Sequence, residues 1–343
     1  MTTASAPAPT CPVPTGPYAV SSDGAGHGWM VGNAFAAGES AVALTADGGQ
    51  TWVGSCIPLV GRLVDVTSYG ETHVWAVGLV PDGPVVLFST DGGRTWGTSQ
   101  FANIGHLDGI AFADPLHGWA VGGGWDGSGI IVATSDGGRS WAPQHVPDGV
   151  MGLNAAAFAD PLHGWVVGAN IGGSGGRYPT VLSTSDGGVT WATKPIPAGS
   201  GSGLLDVAVV GANRIVVVGQ GSTSADHPIM GVTAISDDGG LTWTATEIPD
   251  IFFWAVAVHG QHLLAVGQSG ASGTWGGGTY ASDDGGITWA KTGRAGSASL
   301  TGAALADDDT GWAVSFQQAC LYITDDGART WRGRPLAPFA SCP

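Results

Sequence analysis

The side chains best suited to chemistry in this chain are aspartates, histidines and the aromatics of Gly-rich stretches. His27, His73, His117, His163 and His262 each stand two residues before a tryptophan or the residue in its place. A ring of imidazoles invites a metal, since neutral imidazole is a common ligand. Equivalent turns of neighbouring units, however, lie too far apart to share an ion at the roughly 2 Å reach of a metal–nitrogen bond. These read as turn histidines, and neither a metal nor another cofactor is expected. Asp307, Asp308 and Asp309 occupy the matching place near the C-terminus and read as a solvated charge run. Acid–base work on a sugar needs two carboxyls flanking one bond, and Asp126, Asp148, Asp226 and Asp250 are the candidates in variable segments. Trp125, Tyr178 and Trp275 are platforms for sugar stacking or peptide clamping, and Arg177, His227, Glu247 and Phe253 complete the expected ligand-binding face. Sialidase chemistry would need an arginine cluster and a tyrosine–glutamate pair. Arg62, Arg177, Arg214, Arg294, Arg332 and Arg334 with Glu39, Glu71 and Glu247 form no recognisable set.

What positions these residues is a repeat. Thr45–Trp52, Ser89–Trp96, Thr134–Trp141, Thr184–Trp191, Ser236–Trp243, Ser282–Trp289 and Thr324–Trp331 share one pattern, Ser/Thr-x-Asp-Gly-Gly/Ala-x-Thr/Ser-Trp. Their tryptophans, at 52, 96, 141, 191, 243, 289 and 331, are 44, 45, 50, 52, 46 and 42 residues apart. A second half-motif recurs equally often, as in Trp29-Met-Val-Gly, Trp75-Ala-Val-Gly and Val216-Val-Val-Gly. Within the third unit, Leu107–Ala113, Trp119–Gly122, Ile130–Thr134 and Trp141–Val146 read as four short strands joined by turns. That period and grammar predict an all-β, seven-bladed β-propeller of four-stranded antiparallel blades. The expected division is an Ala/Pro/Thr-rich segment over residues 1–16 and a single propeller over 17–343.

In each signature turn the aspartate can accept backbone N–H bonds, and the following glycines supply positive φ. Asp47, Asp91, Asp136, Asp186, Asp238, Asp284 and Asp326 are therefore read as structural, and the signature tryptophans as wedges between sheets. Ala328 replaces a glycine in the last unit, where a strained or reshaped turn is expected. First-to-second and third-to-fourth strand turns share one rim. The variable second-to-third strand loops of units three to six, and with them the candidate ligand residues, fall on the opposite face.

The signature resembles the Asp-box, or bacterial neuraminidase repeat. Combined with Asp114-Pro-Leu-His-Gly-Trp-Ala-Val-Gly and Asp160-Pro-Leu-His-Gly-Trp-Val-Val-Gly, it is similar to the photosystem II stability and assembly factor propellers over roughly residues 17–337. The resemblance implies a non-enzymatic, chaperone-like propeller outside the cytoplasm that grips a membrane-protein partner. Basic residues are sparse here, so a non-photosynthetic bacterial member is the expectation. The same Asp-box also occurs in sialidases, sortilin-type receptors and xyloglucan-cleaving enzymes. A glycoside hydrolase and a glycan-binding lectin therefore stand as alternatives, with a protein client or a glycan as partner.

Composition sets outer limits. Lys and Arg total 11 against 27 Asp and Glu, a net charge of −16, which repels nucleic acid and anionic lipid. No apolar run reaches spanning length, so an integral membrane protein is not expected, and a monomer is. The N-terminal segment reads as a tether from which a signal peptide has been trimmed, which suits a secreted or extracytoplasmic protein. The cysteines are Cys11, Cys56, Cys320 and Cys342. Cys11 and Cys342 flank the first and last units, which a closed ring makes neighbours. A bridge between them is expected, leaving Cys56 and Cys320 as the other pair.

Overall fold

The computed structural model describes residues 11–34, 41–55, 57, 61–171, 177–196, 201–222, 229–270, 276–293, 295–296, 299–336 and 342. Among these residues there are 28 strands and no helix. They form five four-stranded antiparallel sheets and one eight-stranded sheet. Two short pairings, Asn33 with Arg62 and Ala34 with Gly61, join the first and second repeats into the larger sheet.

Each repeat begins with an inner strand: Pro17–Ser22, Gly61–Tyr69, His106–Phe112, Leu153–Phe158, Gly203–Val210, Ile251–His259 and Gly302–Leu305. Every inner strand adjoins the next, and Gly302–Leu305 adjoins Pro17–Ser22, so the chain closes on itself around an axis. Second strands such as Gly28–Ala34 and Gly118–Gly123 are buried at every residue. The apolar core runs through the layers between successive sheets.

The signature turns behave as their residue types dictate. Asp91 accepts the Thr95 amide at 2.8 Å and hydroxyl at 2.6 Å, and the Ser89 hydroxyl at 2.8 Å. Ser89 Oγ in turn accepts the Gly93 amide at 2.8 Å. The hydroxyl bond four residues on recurs at Asp47, Asp136, Asp186, Asp238, Asp284 and Asp326. In every repeat the third-to-fourth strand turn also donates an amide to the first-to-second strand turn, as Gly92 does to Thr72 and Gly327 to Asp309. Both turns thus share one rim, and the second-to-third strand loops lie opposite. Ala328 adopts φ +67°, beside +85° at Gly93 and +90° at Gly138, and its amide still donates to Thr324 Oγ1 at 3.0 Å. The turn keeps its shape and carries the strain of an L-residue in the left-handed region.

Both tryptophans of a repeat wedge between sheets: the signature Trp52 packs with Trp312, Val314 and Leu321 of the last repeat, and Trp191 with Trp119 and Val121 of the third. Trp29, Trp75, Trp119 and Trp165 each donate their indole N–H to the signature-turn glycine of the following repeat, at 2.9–3.1 Å. Trp312 makes the same bond to Gly48, fastening the last repeat to the first. Trp75 and Trp119 also stack on the next inner strand through Phe112 and Phe158, at 3.6 and 3.5 Å. The signature tryptophans Trp52, Trp96, Trp141 and Trp243 instead donate to a glycine carbonyl of their own turn. Trp96 also donates to Ser55 Oγ of the preceding repeat at 3.1 Å, and Trp191 donates to Gln144 Oε1 of the preceding repeat at 2.9 Å.

The expected Cys11–Cys342 bridge does not form. Cys342 pairs with Cys320, 22 residues earlier, with a Cα–Cα distance of 5.9 Å. The physical reason is where the two ends run. Cys342 lies against Gly333 of the outer strand Arg332–Pro335, next to the strand that Cys320 opens. Cys11, also disulfide-bonded, pairs with Gly54 on the outer strand of the first sheet. Each end is fastened near its own sheet, and the ring is closed by strand packing, by Trp312 and by bonds from Thr301 to Pro17 O and from Arg334 to Gln50 O. Cys56, the fourth cysteine, lies outside the described residues.

Candidate functional site

On the loop face one cluster is built from consecutive contacts. The hairpin after Gly118–Gly123 is a tight turn, with Gly127 N–H donating to Gly124 O and Gly124 N–H to Ser128 O. Asp126 accepts the Ser128 amide at 3.0 Å and hydroxyl at 2.6 Å. Between these ties Trp125 projects outward, 79% exposed. Ser128 pairs with Met151, in the connection to the next repeat. The Met151 amide donates to Asn170 Oδ1 at 2.7 Å, and Asn170 Nδ2 donates to the Tyr178 hydroxyl at 3.3 Å. Tyr178 and Arg177 stand exposed on the facing arm of the fourth-repeat hairpin, Tyr178 at 45%. The structure thus links Trp125, Asp126, Arg177 and Tyr178 through Met151 and Asn170. Sequence reasoning missed those two residues, although an Asn in a loop-bound strand end is a usable signal.

The other expected site residues fare differently. Glu247, on an outer strand, accepts the Ser222 amide at 2.9 Å. Asp250 occupies a backbone turn at φ +62°, its amide bonded to Ile229 O and its carbonyl to Gly270 N–H. Asp148 lies in an exposed turn where Val150 N–H donates to Pro147 O. Phe253 does not belong to the ligand face: it is fully buried and meets Tyr280 edge-on at 5.5 Å. The strand alternation turns it inward, while its neighbour Trp254 faces the axis. Asp226, His227 and Trp275 lie outside the described residues. Hydrogen bonds from the Ser128 hydroxyl and amide hold the Asp126 carboxyl below its usual range. That is the wrong direction for a general acid, which needs a raised pKa at neutral pH.

Raised carboxyls occur elsewhere, around a cavity of about 140 Å³ on the axis. It is lined by Asp65, Asp108, Asn154, Asp206 and Trp254, each at or beside the residue where its inner strand bulges. Asp65 Oδ1 accepts the Val66 amide and Oδ2 the Ile110 amide of the next inner strand, both at 2.8 Å. Asp206 does the same with Val207 and Val256. Burial pushes Asp65 up to about 6 and Asp206 to about 7, the latter helped by repulsion from Asp65. Asp108 is also raised by burial, against the pull of His106 and Arg62. Asp65 and Asp206 keep part of their surface on the channel, so water there tempers the burial. These axial carboxylates were not singled out from sequence. A lone Asp inside Leu63-Val64-Asp65-Val66 or Leu204-Leu205-Asp206-Val207 was the available signal.

The repeated histidines sit in or beside the first-to-second strand turn, His73 and His262 as the first residue of the second strand. His27 Nδ1 lies 2.8 Å from Asp23, His117 2.8 Å from Asp114, His163 2.9 Å from Asp160 and His262 2.6 Å from Asp283. His73 bonds the Thr72 hydroxyl at 3.0 Å. Asp307 takes the amides of Asp309 and Thr310 and so caps its own turn. Among the described residues no three His, Cys, Asp or Glu side chains are grouped to hold a metal, and no helix is long and apolar enough to cross a membrane.

Residues 280–291 match the BNR/Asp-box repeat. No curated protein matches the sequence. Among solved structures the chain is similar to YCF48 bound to D1 peptide, with a TM-score of 0.59 and 20% identity over 93% of each chain. It is similar to YCF48 from Cyanidioschyzon merolae, with a TM-score of 0.55 and 18% identity over 83% of this chain and 88% of that one. The GH74 enzyme of Niastella koreensis gives a TM-score of 0.67 at 14% identity, covering 94% of this chain and 54% of the enzyme. The chain therefore spans about half the length of that enzyme. At these identities the likeness is one of fold, and the fold is an Asp-box β-propeller like that of YCF48.

Proposed function

We propose that this chain is a non-catalytic, monomeric binding or assembly propeller of seven blades. In this reading it works outside the cytoplasm of a non-photosynthetic bacterium and holds a protein partner on the loop face of the third to sixth repeats. The observation that carries the reading is the Trp125–Met151–Asn170–Tyr178 cluster: a bonded turn and hairpin spend their polar groups on each other and leave two large aromatics facing solvent. Rigid exposed aromatics with few competing polar groups are typical anchors for a partner. The blade count rests on seven doubled motifs and on a two-pair junction inside the eight-stranded sheet. The compartment is supported by the Cys320–Cys342 disulfide and the bonded Cys11, since such bridges persist where the surroundings oxidise. YCF48 with its D1 peptide offers a precedent for a protein partner on this fold.

The second reading is a glycoside hydrolase or lectin, favoured by the likeness to the GH74 enzyme. Glycan-array binding, a hydrolysis assay on plant and bacterial polysaccharides, and affinity capture from membrane extracts separate the readings. We expect no turnover, and a membrane-protein partner retained by the wild type and depleted at least tenfold by Trp125→Ala with Tyr178→Ala. Turnover abolished by Asp126→Ala would establish the enzyme. Glycan binding without turnover, lost on Trp125→Ala, would establish the lectin.

A further inference from the structure

The residue between the paired glycines and the Thr/Ser of the signature turn is segregated around the ring. It is Gln50, Arg94 and Arg139 in the first three repeats, Val189, Leu241 and Ile287 in the next three, and Arg329 in the last. The three aliphatic side chains are 77%, 62% and 57% exposed. The turn does not ask for them. The amides of Arg94, Arg139 and Leu241 make the same 3.0 Å bond to the signature aspartate, so one geometry is built with either chemistry. Arg94, Arg139 and Arg329 fold back to donate to the carbonyl of that aspartate, a use closed to an aliphatic chain. Aliphatic residues exposed without structural need, on consecutive repeats of one rim, mark an interaction surface.

The surroundings say what fits. Leu241 borders a cleft of about 430 Å³ between the fourth and fifth repeats, where Trp165, Ala192 and Ala212 stand among polar groups that include Asp160, His163, Asp238 and the cation Lys194. Leu162, also exposed, stands in the turn that bonds to Gly187, two residues before Val189. The residue before the signature aspartate is a further carboxylate in the last three repeats, Asp237, Asp283 and Asp325, in place of Ala46, Thr90, Ser135 or Ser185, so it accompanies Leu241 and Ile287 but also Arg329. Asp325 is paired with Arg332 at 2.8 Å. Asp237 is paired with Arg214 at 2.6 Å. Asp283, its side chain 81% exposed, has only His262, which is charged only if protonated. Aliphatic anchors beside surplus carboxylates, on a chain of net charge −16, complement an apolar segment with basic flanks and repel an anionic membrane.

We propose that the Asp-box rim of the fourth to sixth repeats is a second docking surface, opposite the loop face, for a protein segment with apolar anchors flanked by Lys or Arg. Val189, Leu241 and Ile287 are the contact residues, and the cleft beside Leu241 receives one anchor. The test is fluorescence anisotropy at physiological ionic strength with a labelled amphipathic Leu/Lys peptide, against Leu/Glu and Ser/Lys counterparts. The triple variant Val189→Arg, Leu241→Arg, Ile287→Arg should fold, because arginine occupies this position in three other repeats, and its melting curve verifies that. We expect the Leu/Lys peptide to bind the wild type at least tenfold more tightly than either counterpart and at least tenfold more tightly than it binds the triple variant. Trp125→Ala with Tyr178→Ala should leave this binding unchanged, which separates the rim from the loop face. Equal binding to wild type and triple variant, or equal binding of the Ser/Lys peptide, would overturn the proposal. Concentration-dependent self-association of the wild type that the triple variant abolishes would overturn it in favour of a second copy of this chain.

Discussion

Asp136 shows how much one carboxylate can hold in this chain. Against the burial that would raise it, bonds from the Ser140 hydroxyl and amide, Thr134 and Arg139 bring it down to about 2. The folded form therefore prefers the ionised group, and the stability it supplies is present above the ordinary aspartate range and lost as pH falls through about 2. Replacing Asp136 with Ala leaves the Ser140 amide without its acceptor and frees the turn. The expected cost is about 1–3 kcal/mol at pH 7 by urea denaturation, shrinking toward pH 2 as the wild-type carboxyl protonates. A variant equally destabilised at pH 2 and pH 7 would mean that the ionised form is not what the turn needs. Asp126, by contrast, matches the look of a catalytic acid in sequence only. Its bonds to Ser128 are those of a turn, and that could not be read from a Gly-rich loop whose conformation has no period.

At the scale of elements, the second strand of one repeat and the signature turn of the next act as a unit, and their glycines are not equivalent. A Cβ on Gly240 would meet its nearest neighbours at 3.4–3.6 Å, ordinary contact, so Gly240→Ala adds mainly the left-handed strain of about 1–2 kcal/mol. A Cβ on Gly49 would fall 2.5 Å from the Trp312 indole nitrogen. That indole holds the last repeat to the first, so Gly49→Ala should cost clearly more, about 3 kcal/mol or above, and lower Tm further than Gly240→Ala. Equal losses in the two variants would show that the Trp312 contact does not secure the closure. The strands and turns themselves were legible because both half-motifs repeat with their turn chemistry intact. The pairing of Cys342 was not. It depends on the chain end coming back to the edge of its own sheet, a path that spacing between cysteines does not encode. The inward turn of Phe253 was missed for a related reason, since a run of Ile251-Phe-Phe-Trp254 offers no polar residue to fix which face is inside.

For the whole molecule, two populations of aspartate pull stability in opposite directions with pH. The signature carboxylates, with Asp186 and Asp238 held at about 2 chiefly by the hydroxyls of Thr190 and Thr242, favour the fold only while ionised. Asp65 and Asp206 on the axis are raised by burial to about 6 and about 7, so their ionised forms oppose the fold. A raised folded pKa supplies stability that is fully present below the unfolded value near 3.8 and is lost as pH rises through the folded value. Acidifying from pH 8 to pH 5 should therefore strengthen the ring, and further acidification through the range of the signature carboxylates should weaken it. A tenfold difference in proton affinity between the folded and unfolded chain is worth about 1.4 kcal/mol, and channel water reduces the realised amount, so a gain of roughly 2–4 kcal/mol from pH 8 to pH 5 is expected. Asp108 also lines this cavity and is raised by burial, with His106 and Arg62 beside it. The assignment to Asp65 and Asp206 therefore needs its own variant. Asp65→Asn with Asp206→Asn keeps the shape, removes both ionisations and should flatten most of the rise in Tm between pH 8 and pH 5, while leaving the loss below pH 4 in place. A double variant that keeps the full wild-type rise would show that the two axial carboxyls are not its source.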